Sequence, residues 1–426
     1  MRLSFLYPLM ATVCAAQPLA TPAGAWHGAI DIPGVALQIE VVLHATPAWS
    51  GQISIPAQGM KNYALAEVKV EGAEVAFSLP GIPSDPRFKG QLGLGVLDGT
   101  FTQGGRTFPF RLQRGPAPVV AQPALPAGLT EREVSVGQAP WLLPGTLTLP
   151  AGKGPWPSVV LVHGSGPNDR NETIGPNAPF RDLAWGLAQR GIAVLRYEKR
   201  TKAHAAALVK ERTTLTTWQE TVLDAADAAR LLQGMAGLDP RRVFVLGHSL
   251  GGYLLPRVGQ RVPFVAGLIS LAGPARPMED LLVEQMAYLG APEQIQAESR
   301  AQAARIKALE PGKDPGGPLP FGSQPAYWLD LKGYDPVQAV RALPQPLLIL
   351  QGDLDAQVRA ADFQLWSKGL EGRGNVKFRR FETLNHLFMP GSGQVPAADY
   401  QKPGHVDEAV LAEISGWIHG LAPARP

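Results

Sequence analysis

The chain has 426 residues, of which 45% are hydrophobic and 18% are charged. This length exceeds that of one ordinary domain, and this balance is typical of globular proteins rather than disordered or fibrous ones. The 39 basic and 36 acidic residues leave a formal net charge of +3, and basic pairs such as Lys199-Arg200 and Arg241-Arg242 are scattered along the chain. Nucleic acid is therefore not expected as a partner.

The first sixteen residues resemble a short export signal. Arg2 precedes a mostly apolar run that ends in Cys14-Ala15-Ala16. A basic start, an apolar centre and small residues at the end predict a cleaved signal peptide over residues 1–16, and hence a secreted or periplasmic protein. Cys14 is the single cysteine, so the mature chain would have no disulfide and no cysteine-bound metal. No later stretch has the roughly eighteen uninterrupted apolar residues of a membrane span.

Residues 24–114 predict a small antiparallel β domain. Short runs rich in Val, Ile, Leu and Phe alternate there with turn pairs such as Pro80-Gly81 and Gly104-Gly105. Such spacing is typical of an antiparallel sheet or a small barrel. The predicted strands are 35–43, 51–55, 68–70, 75–79, 93–97 and 108–112. Residues 115–128 contain four prolines and no charge, which predicts a semi-extended linker.

From residue 129 to residue 426 strands and helices alternate. This alternation predicts an α/β domain with a mostly parallel sheet and helices on both faces. The predicted strands are 131–136, 143–149, 158–162, 192–197, 243–246, 266–271, 347–350 and 376–381. Residues 179–190 and 406–421 have apolar side chains at helical spacing, as does a stripe that includes Trp218, Val222 and Leu232.

One insertion interrupts this alternation. The stretch from residue 271 to residue 347 is much longer than a turn needs, and residues 278–289 and 294–309 have helical periodicity. An insertion of this kind above a sheet's carboxyl edge is where a lid would lie, so we expect a helical lid over about residues 274–340.

The stretch Gly247-His248-Ser249-Leu250-Gly251 follows a buried strand and precedes a predicted helix. Gly-x-Ser-x-Gly in this context is the pattern of a nucleophile elbow, in which the serine stands on a strained turn. Only residues without a Cβ let the backbone pass so closely on either side of that turn. The pattern therefore identifies Ser249 as a candidate nucleophile.

A nucleophilic serine needs a base, and the base needs an orienting acid. After the strand 347–350 two carboxylates, Asp353 and Asp355, compete for the role of acid, and the Gly-x-x-Asp-x-x-Val register favours Asp355. His386 follows the strand 376–381 and is the candidate base. His405 is the alternative base, although it directly precedes the last helix, where it could serve only as a cap.

The loop after the strand 158–162 reads His163-Gly164-Ser165-Gly166. The backbone N–H groups of Ser165 and Leu250 are the candidate oxyanion donors, with Gly166 as the alternative to Ser165. The loop lacks the endings of a P-loop and of a dinucleotide site, and the chain has no His-Glu-x-x-His pattern. No metal and no cofactor are expected. Arg170 and Glu172 could shape the pocket or form a surface pair, and they are left out of the site.

Together these motifs resemble a group of bacterial serine carboxylesterases. In that group a small N-terminal β domain precedes an α/β-hydrolase domain, and the similarity covers nearly the whole mature chain. The resemblance implies hydrolysis of short-chain carboxylic esters through Ser249, His386 and Asp355, with a small-molecule ester as partner. The motifs that carry it are residues 163–170, 197–200, 247–252, 353–355 and 384–388.

The same fold and triad leave alternatives open. A serine peptidase or a thioesterase could use the same residues, but about ninety N-terminal residues are too few for a propeller that would gate a peptidase. A binding module that has lost catalysis is the alternative from another class, and the complete set of triad candidates argues against it.

Overall fold

The computed structural model describes residues 21–32, 35–58, 60–82, 84–118, 123–211, 215–288, 290–320, 323–393 and 399–424. The predicted signal peptide, residues 1–16, lies outside these residues. The chain divides into two compact units, one of which ends at Pro118, while the other comprises residues 119–426. Two short segments, residues 33–36 and 55–60, group with the second unit.

The first unit is built on a nine-stranded sheet, in which the strands are ordered β4-β3-β2-β1-β9-β8-β7-β6-β5. Neighbouring strands with a resolved register, such as β1 and β9 or β7 and β8, are antiparallel. The predicted all-β domain is therefore confirmed. The strands are β1 Gly24–Ile32, β2 Val35–His44, β3 Ser50–Ile55, β4 Met60–Ala64, β5 Ala66–Glu71, β6 Glu74–Ser78, β7 Arg87–Leu92, β8 Val96–Gln103 and β9 Arg106–Arg114.

Aromatic side chains from adjacent strands form the core of this unit. The Phe88 ring lies 4.7 Å from the rings of Phe77 and Phe101 and 5.3 Å from that of Phe110. Alternate residues of β7 are buried, as expected for a strand with one solvated face. The predicted strand over residues 93–97 is wrong. Its first residues form the turn between β7 and β8, where Gly95 takes a φ of +74° that favours glycine.

The second unit contains an eight-stranded sheet in the order β10-β11-β13-β12-β14-β15-β16-β17. The strands β10 and β11 pair antiparallel. The last six strands in this order, β13-β12-β14-β15-β16-β17, run parallel to one another. The strands are β10 Thr130–Val136, β11 Leu143–Leu149, β12 Trp156–Val162, β13 Ala193–Tyr197, β14 Leu238–His248, β15 Gly267–Leu271, β16 Leu347–Gly352 and β17 Val376–Phe381.

Helices cover both faces of this sheet, because its central strands are apolar on both sides. In β12, Val159 and Leu161 face one core and Val160 and Val162 face the other. The predicted α/β architecture is confirmed. The helices are α1 Pro179–Ala188, α2 Arg200–Ala203, α3 Ala205–Glu211, α4 Leu223–Gln233 with a π-helical turn Trp218–Val222 before it, α5 Leu250–Arg261, α6 Met278–Tyr288, α7 Glu293–Ala308, α8 Pro325–Leu331, α9 Pro336–Arg341, α10 Ala360–Gly369 and α11 Glu408–Gly420.

The insertion between β15 and β16 holds helices α6 to α9. At its start, the buried carboxylate of Asp362 accepts hydrogen bonds from the backbone N–H groups of Ala275 and Arg276. Further along, Asp330 of α8 pairs with Arg257 of α5 at 3.1 Å. The insertion is thus tied to the sheet domain by charged contacts. Among the described residues, no helix combines the length and the apolar character that crossing a bilayer requires.

Candidate active site

Ser249 lies between the end of β14 and the start of α5, at a sharp turn. Its φ of +51° and ψ of −116° are strained values for a residue with a Cβ. The turn is tight enough that a Cβ on Gly247 would approach Gly251 O to 2.3 Å, and one on Gly251 would approach Val162 O to 2.3 Å. The Ser249 N–H donates to Leu271 O at 2.9 Å, which ties the turn to the neighbouring strand β15.

The structure brings Asp355 and His386 together. Asp355 Oδ2 lies 2.7 Å from His386 Nδ1, and both side chains are buried. The other carboxylate oxygen accepts the backbone N–H groups of Gln357 and Val358 at 2.7 and 2.9 Å. Gln351 Nε2 donates to Oδ2 at 3.1 Å. The carboxylate is therefore fixed by its own turn while it faces the histidine.

The alternative acid and the alternative base lie elsewhere. Asp353 Oδ1 accepts from Arg380 Nε of β17 at 2.7 Å, in a partly exposed pair. His405 Nδ1 lies 3.1 Å from Asp182 Oδ2, and its side chain is 77% exposed. Neither residue contacts Asp355 or His386 through any resolved hydrogen bond among the described residues, so the structure separates both alternatives from the buried acid–base pair.

Hydrogen bonds within the loop after β17 hold His386 in place. Asn385 Oδ1 accepts from the backbone N–H groups of Leu387 and Met389 at 2.9 and 3.3 Å. The loop also passes close to the strand that precedes the acid, because a Cβ on Gly352 would lie 2.3 Å from Leu384 O. Glycine at position 352 thus lets the acid loop and the histidine loop meet.

The loop after β12 lies against the serine. A Cβ on Gly164 would lie 3.2 Å from Ser249 Cβ, which shows how closely the two turns approach. Gly164 itself is held from both sides: its N–H donates to Glu172 Oε1 at 2.6 Å, and its carbonyl accepts from Lys199 Nζ at 2.8 Å. The Gly164 N–H is therefore not free to bind a substrate oxygen.

The next two residues of this loop remain candidates for oxyanion donors. Within the described part of the chain, the N–H groups of Ser165 and Gly166 bind no acceptor. Leu250 is the first residue of α5, where an N–H has no partner within the helix. The helix N-terminus also carries the positive end of its dipole. The N–H groups of Ser165 and Leu250 therefore stay the candidate oxyanion donors, with Gly166 as the alternative to Ser165.

Sequence reasoning missed a buried pair that touches all of these loops. Glu172 is 1% exposed, so the interpretation as a surface pair with Arg170 is wrong. Arg170 instead binds Glu198 at 2.9 Å, whereas Glu172 Oε2 lies 2.8 Å from His248 Nδ1. His248 Nε2 lies 2.9 Å from His386 O. The one available signal was the position of His248 directly before the candidate nucleophile.

The electrostatics of this pair favour its charged form. Burial alone would raise the pKa of Glu172, but the neighbouring His248 holds that pKa below its usual value. Burial would lower the pKa of His248, but the Glu172 carboxylate raises it above the usual value. For the nearby His163, burial outweighs the opposing effect of Glu172 and lowers the pKa to about 4. No three His, Cys, Asp or Glu side chains of the described ranges form a metal-binding group.

A serine on a strand–turn–helix elbow, a buried acid–histidine pair after later strands and a mostly parallel sheet together define an α/β hydrolase. The sequence profile of the alpha/beta hydrolase family matches residues 159–401. The chain belongs to this family, and the predicted α/β-hydrolase fold is confirmed.

Similar proteins are esterases and related hydrolases. The chain is 40% identical to Esterase EstD of Thermotoga maritima over 295 residues, which cover 69% of this chain and 68% of that protein. A solved structure of the Pyrococcus furiosus esterase Pf2001 aligns with 71% of this chain and 96% of its own, at 14% identity and a TM-score of 0.45. A dienelactone hydrolase from Anabaena variabilis aligns with 70% of this chain and all of its own (100%), at 18% identity and a TM-score of 0.42.

Proposed function

We propose that the protein is a serine carboxylesterase that hydrolyses short-chain esters through an acyl-enzyme, with Ser249, His386 and Asp355 as its catalytic residues. Its class is that of a carboxylester hydrolase, as its family and its 40% identity to Esterase EstD indicate. The observation that carries the proposed mechanism is the buried 2.7 Å contact between His386 and Asp355 in the domain that presents Ser249 on its elbow.

In the acylation step, Ser249 Oγ attacks the ester carbonyl carbon and the carbonyl π electrons move onto the carbonyl oxygen. His386 Nε2 takes the serine proton, because its Nδ1–H is engaged by Asp355 and the tautomer is thereby fixed. The imidazolium then gives the proton to the leaving alcohol as the tetrahedral intermediate collapses. Deacylation repeats these steps with water in place of the serine and releases the acid.

Two backbone N–H groups stabilise the oxyanion in this proposal. Ser165 follows the fixed Gly164 peptide, and Leu250 stands at the first position of α5. Donors that are fixed before the reaction need no reorganisation when negative charge develops on the substrate oxygen. Gly166 is the alternative to Ser165, and its φ of +91° gives that segment a conformation that glycine favours.

The test is hydrolysis of p-nitrophenyl esters from two to twelve acyl carbons by the mature protein, with Ser249→Ala as control. We expect serine-dependent cleavage that is fastest for the short acyl chains. A dipeptide anilide and an acyl thioester, assayed in parallel, test the peptidase and thioesterase alternatives. Retention of turnover by Ser249→Ala would refute the proposed nucleophile. Absence of both turnover and fluorophosphonate labelling of Ser249 would favour the non-catalytic binding module.

We also propose that the protein is exported and works as a secreted or periplasmic enzyme. The basis is the pattern of residues 1–16, with Arg2, an apolar run and Ala15-Ala16 at the end. Expression in a Gram-negative host, followed by cell fractionation and N-terminal sequencing, tests this proposal. A mature chain that begins near Gln17 in the periplasm is expected. An uncleaved chain in the cytoplasmic fraction would contradict it.

A further inference from the structure

Glu172 and His248 connect the three loops that surround Ser249. Glu172 Oε1 accepts the Gly164 N–H of the loop after β12, and its Oε2 lies 2.8 Å from His248 Nδ1. The other ring nitrogen of His248 lies 2.9 Å from the carbonyl of His386. The two side chains are only 2% and 6% exposed. One buried pair therefore spans the oxyanion loop, the elbow and the histidine loop.

Both nitrogens of the His248 ring face oxygen acceptors. A backbone carbonyl can only accept, so Nε2 carries a proton that it donates to His386 O. Nδ1 and Glu172 Oε2 lie 2.8 Å apart but do not form a well-aligned hydrogen bond. A proton on one of these two atoms is still needed, because otherwise two lone pairs would face each other at this distance in a buried place. Ordinary hydrogen-bonding chemistry thus gives either an imidazolium–carboxylate pair or a neutral imidazole beside a protonated carboxyl.

The surroundings select the charged form. Glu172 also accepts the Gly164 N–H, which favours a carboxylate. The other ionisable groups that face the pair are His163, Lys199 and Asp355. His163 is neutral near pH 7, since burial lowers its pKa to about 4, and Asp355 adds negative charge on the far side of His386. These contacts favour an imidazolium on His248 that is paired with the Glu172 carboxylate.

We propose that Glu172 and His248 are a positioning pair, which aligns the loop after β12 and the elbow with His386. This inference rests on the proposed role of His386 as general base. The rings of His248 and His386 have centroids 4.7 Å apart, so a displacement of the His248 ring would also displace His386.

The test uses three variants and one matched control. Glu172→Gln retains an acceptor for Gly164 N–H and a donor for His248 Nδ1, but it allows the ring to become neutral. His248→Gln removes the cation and leaves a buried carboxylate without its partner, and the double variant removes both charges. His405→Gln is the control, because His405 also pairs with a carboxylate but is 77% exposed and outside the site.

We expect kcat to fall most in His248→Gln, and to fall less in Glu172→Gln and in the double variant. The kcat of His248→Gln is expected to fall by about 10- to 100-fold with little change in KM, because misplaced loops weaken transition-state contacts more than substrate binding. The double variant is expected to recover part of that loss, since it leaves no unpaired buried charge. His405→Gln should match the wild type.

A second measurement does not depend on activity or on variants that fold poorly. In the wild-type protein labelled with ¹⁵N-histidine, both ring nitrogens of His248 should have imidazolium shifts near pH 7. Neutral-imidazole shifts for His248 at that pH would overturn the proposal, as would an unchanged kcat in the folded variants. Failure of the proposed function is distinguishable, because in that case either Ser249→Ala would retain turnover or the wild type would show none, whatever the state of His248.

Discussion

Replacement of Asp355 by asparagine tests the acid of the proposed triad most sharply. The change keeps the size of the side chain and leaves one oxygen to accept the N–H groups of Gln357 and Val358. It places an amide NH₂ or a weaker acceptor opposite His386 Nδ1, where a carboxylate oxygen now lies at 2.7 Å. An NH₂ at that position would require an unprotonated Nδ1, and the proton would move to Nε2.

The expected loss of activity follows from that tautomer. A histidine with its proton on Nε2 cannot take a proton from Ser249, and a triad with the wrong tautomer loses about 10⁴-fold in kcat. That factor corresponds to about 5.5 kcal/mol of transition-state stabilisation. The unfolding free energy should change much less, because the hydrogen bonds to the turn of residues 355–358 persist. Catalysis and stability are thus expected to separate.

Asp353→Asn is the matched control, since it lies two residues away in the same loop. Asp353 pairs with Arg380 in a partly exposed contact, and such pairs contribute about 0–1 kcal/mol. We expect its kcat/KM for p-nitrophenyl acetate to stay within about twofold of the wild type. Equal losses in the two variants, or a loss below about tenfold in Asp355→Asn with an unchanged fold by circular dichroism, would refute this assignment of the acid.

Two further perturbations probe the buried charges around the loop after β12. Lys199→Met removes one of two side-chain donors to Gly164 O and leaves the buried Glu220, which lies 3.2 Å from the Lys199 ammonium, without its cation. We expect the free energy of unfolding, measured in urea, to fall by about 3–5 kcal/mol. Adding Glu220→Gln to the same chain should partly restore it. A loss below about 1 kcal/mol would contradict the buried pair. Burial lowers the pKa of His163 to about 4, which is below its value in the unfolded chain. The stability that the buried neutral ring contributes is therefore complete above about pH 6.5 and is lost as the pH falls toward 4. The unfolding free energy should therefore fall by about 2 kcal/mol more in the wild type than in His163→Asn between pH 7.5 and pH 5, and equal losses would contradict a buried neutral His163.

Much of the fold could be predicted because its signals are local. Apolar runs bounded by glycine and proline match the strands of the second sheet, and the helical stripe at residues 179–190 matches α1. The first two of the four insertion helices, α6 and α7, lie within about one residue of the predicted bounds at 278–289 and 294–309. The prediction failed at residues 93–97, where the tight turn at Gly95 divides an apolar stretch that periodicity alone reads as one strand.

The candidate site was predictable only in part. Ser249, His386 and Asp355 follow strands whose ends meet at one edge of the sheet, so chain order and strand position could suggest them, and their catalytic roles remain predictions. The contact between Glu172 and His248 joins residues far apart in the sequence, and no local pattern indicates it. Glu172 even follows a polar stretch that reads as surface loop. Which carboxylates are buried depends on the packing of distant segments.

The buried charges explain how separate loops can keep the accuracy that acyl transfer needs. Three buried pairs join different segments around these loops: Glu172 with His248, Lys199 with Glu220, and Asp355 with His386. Removal of one partner leaves an uncompensated charge in a low-dielectric place, which costs several kcal/mol. Displacement of a loop would incur a similar cost, because it separates the same charges. The pairs therefore oppose any movement of the loops away from Ser249, and the backbone donors and the histidine can remain in position between turnovers without rigid secondary structure of their own.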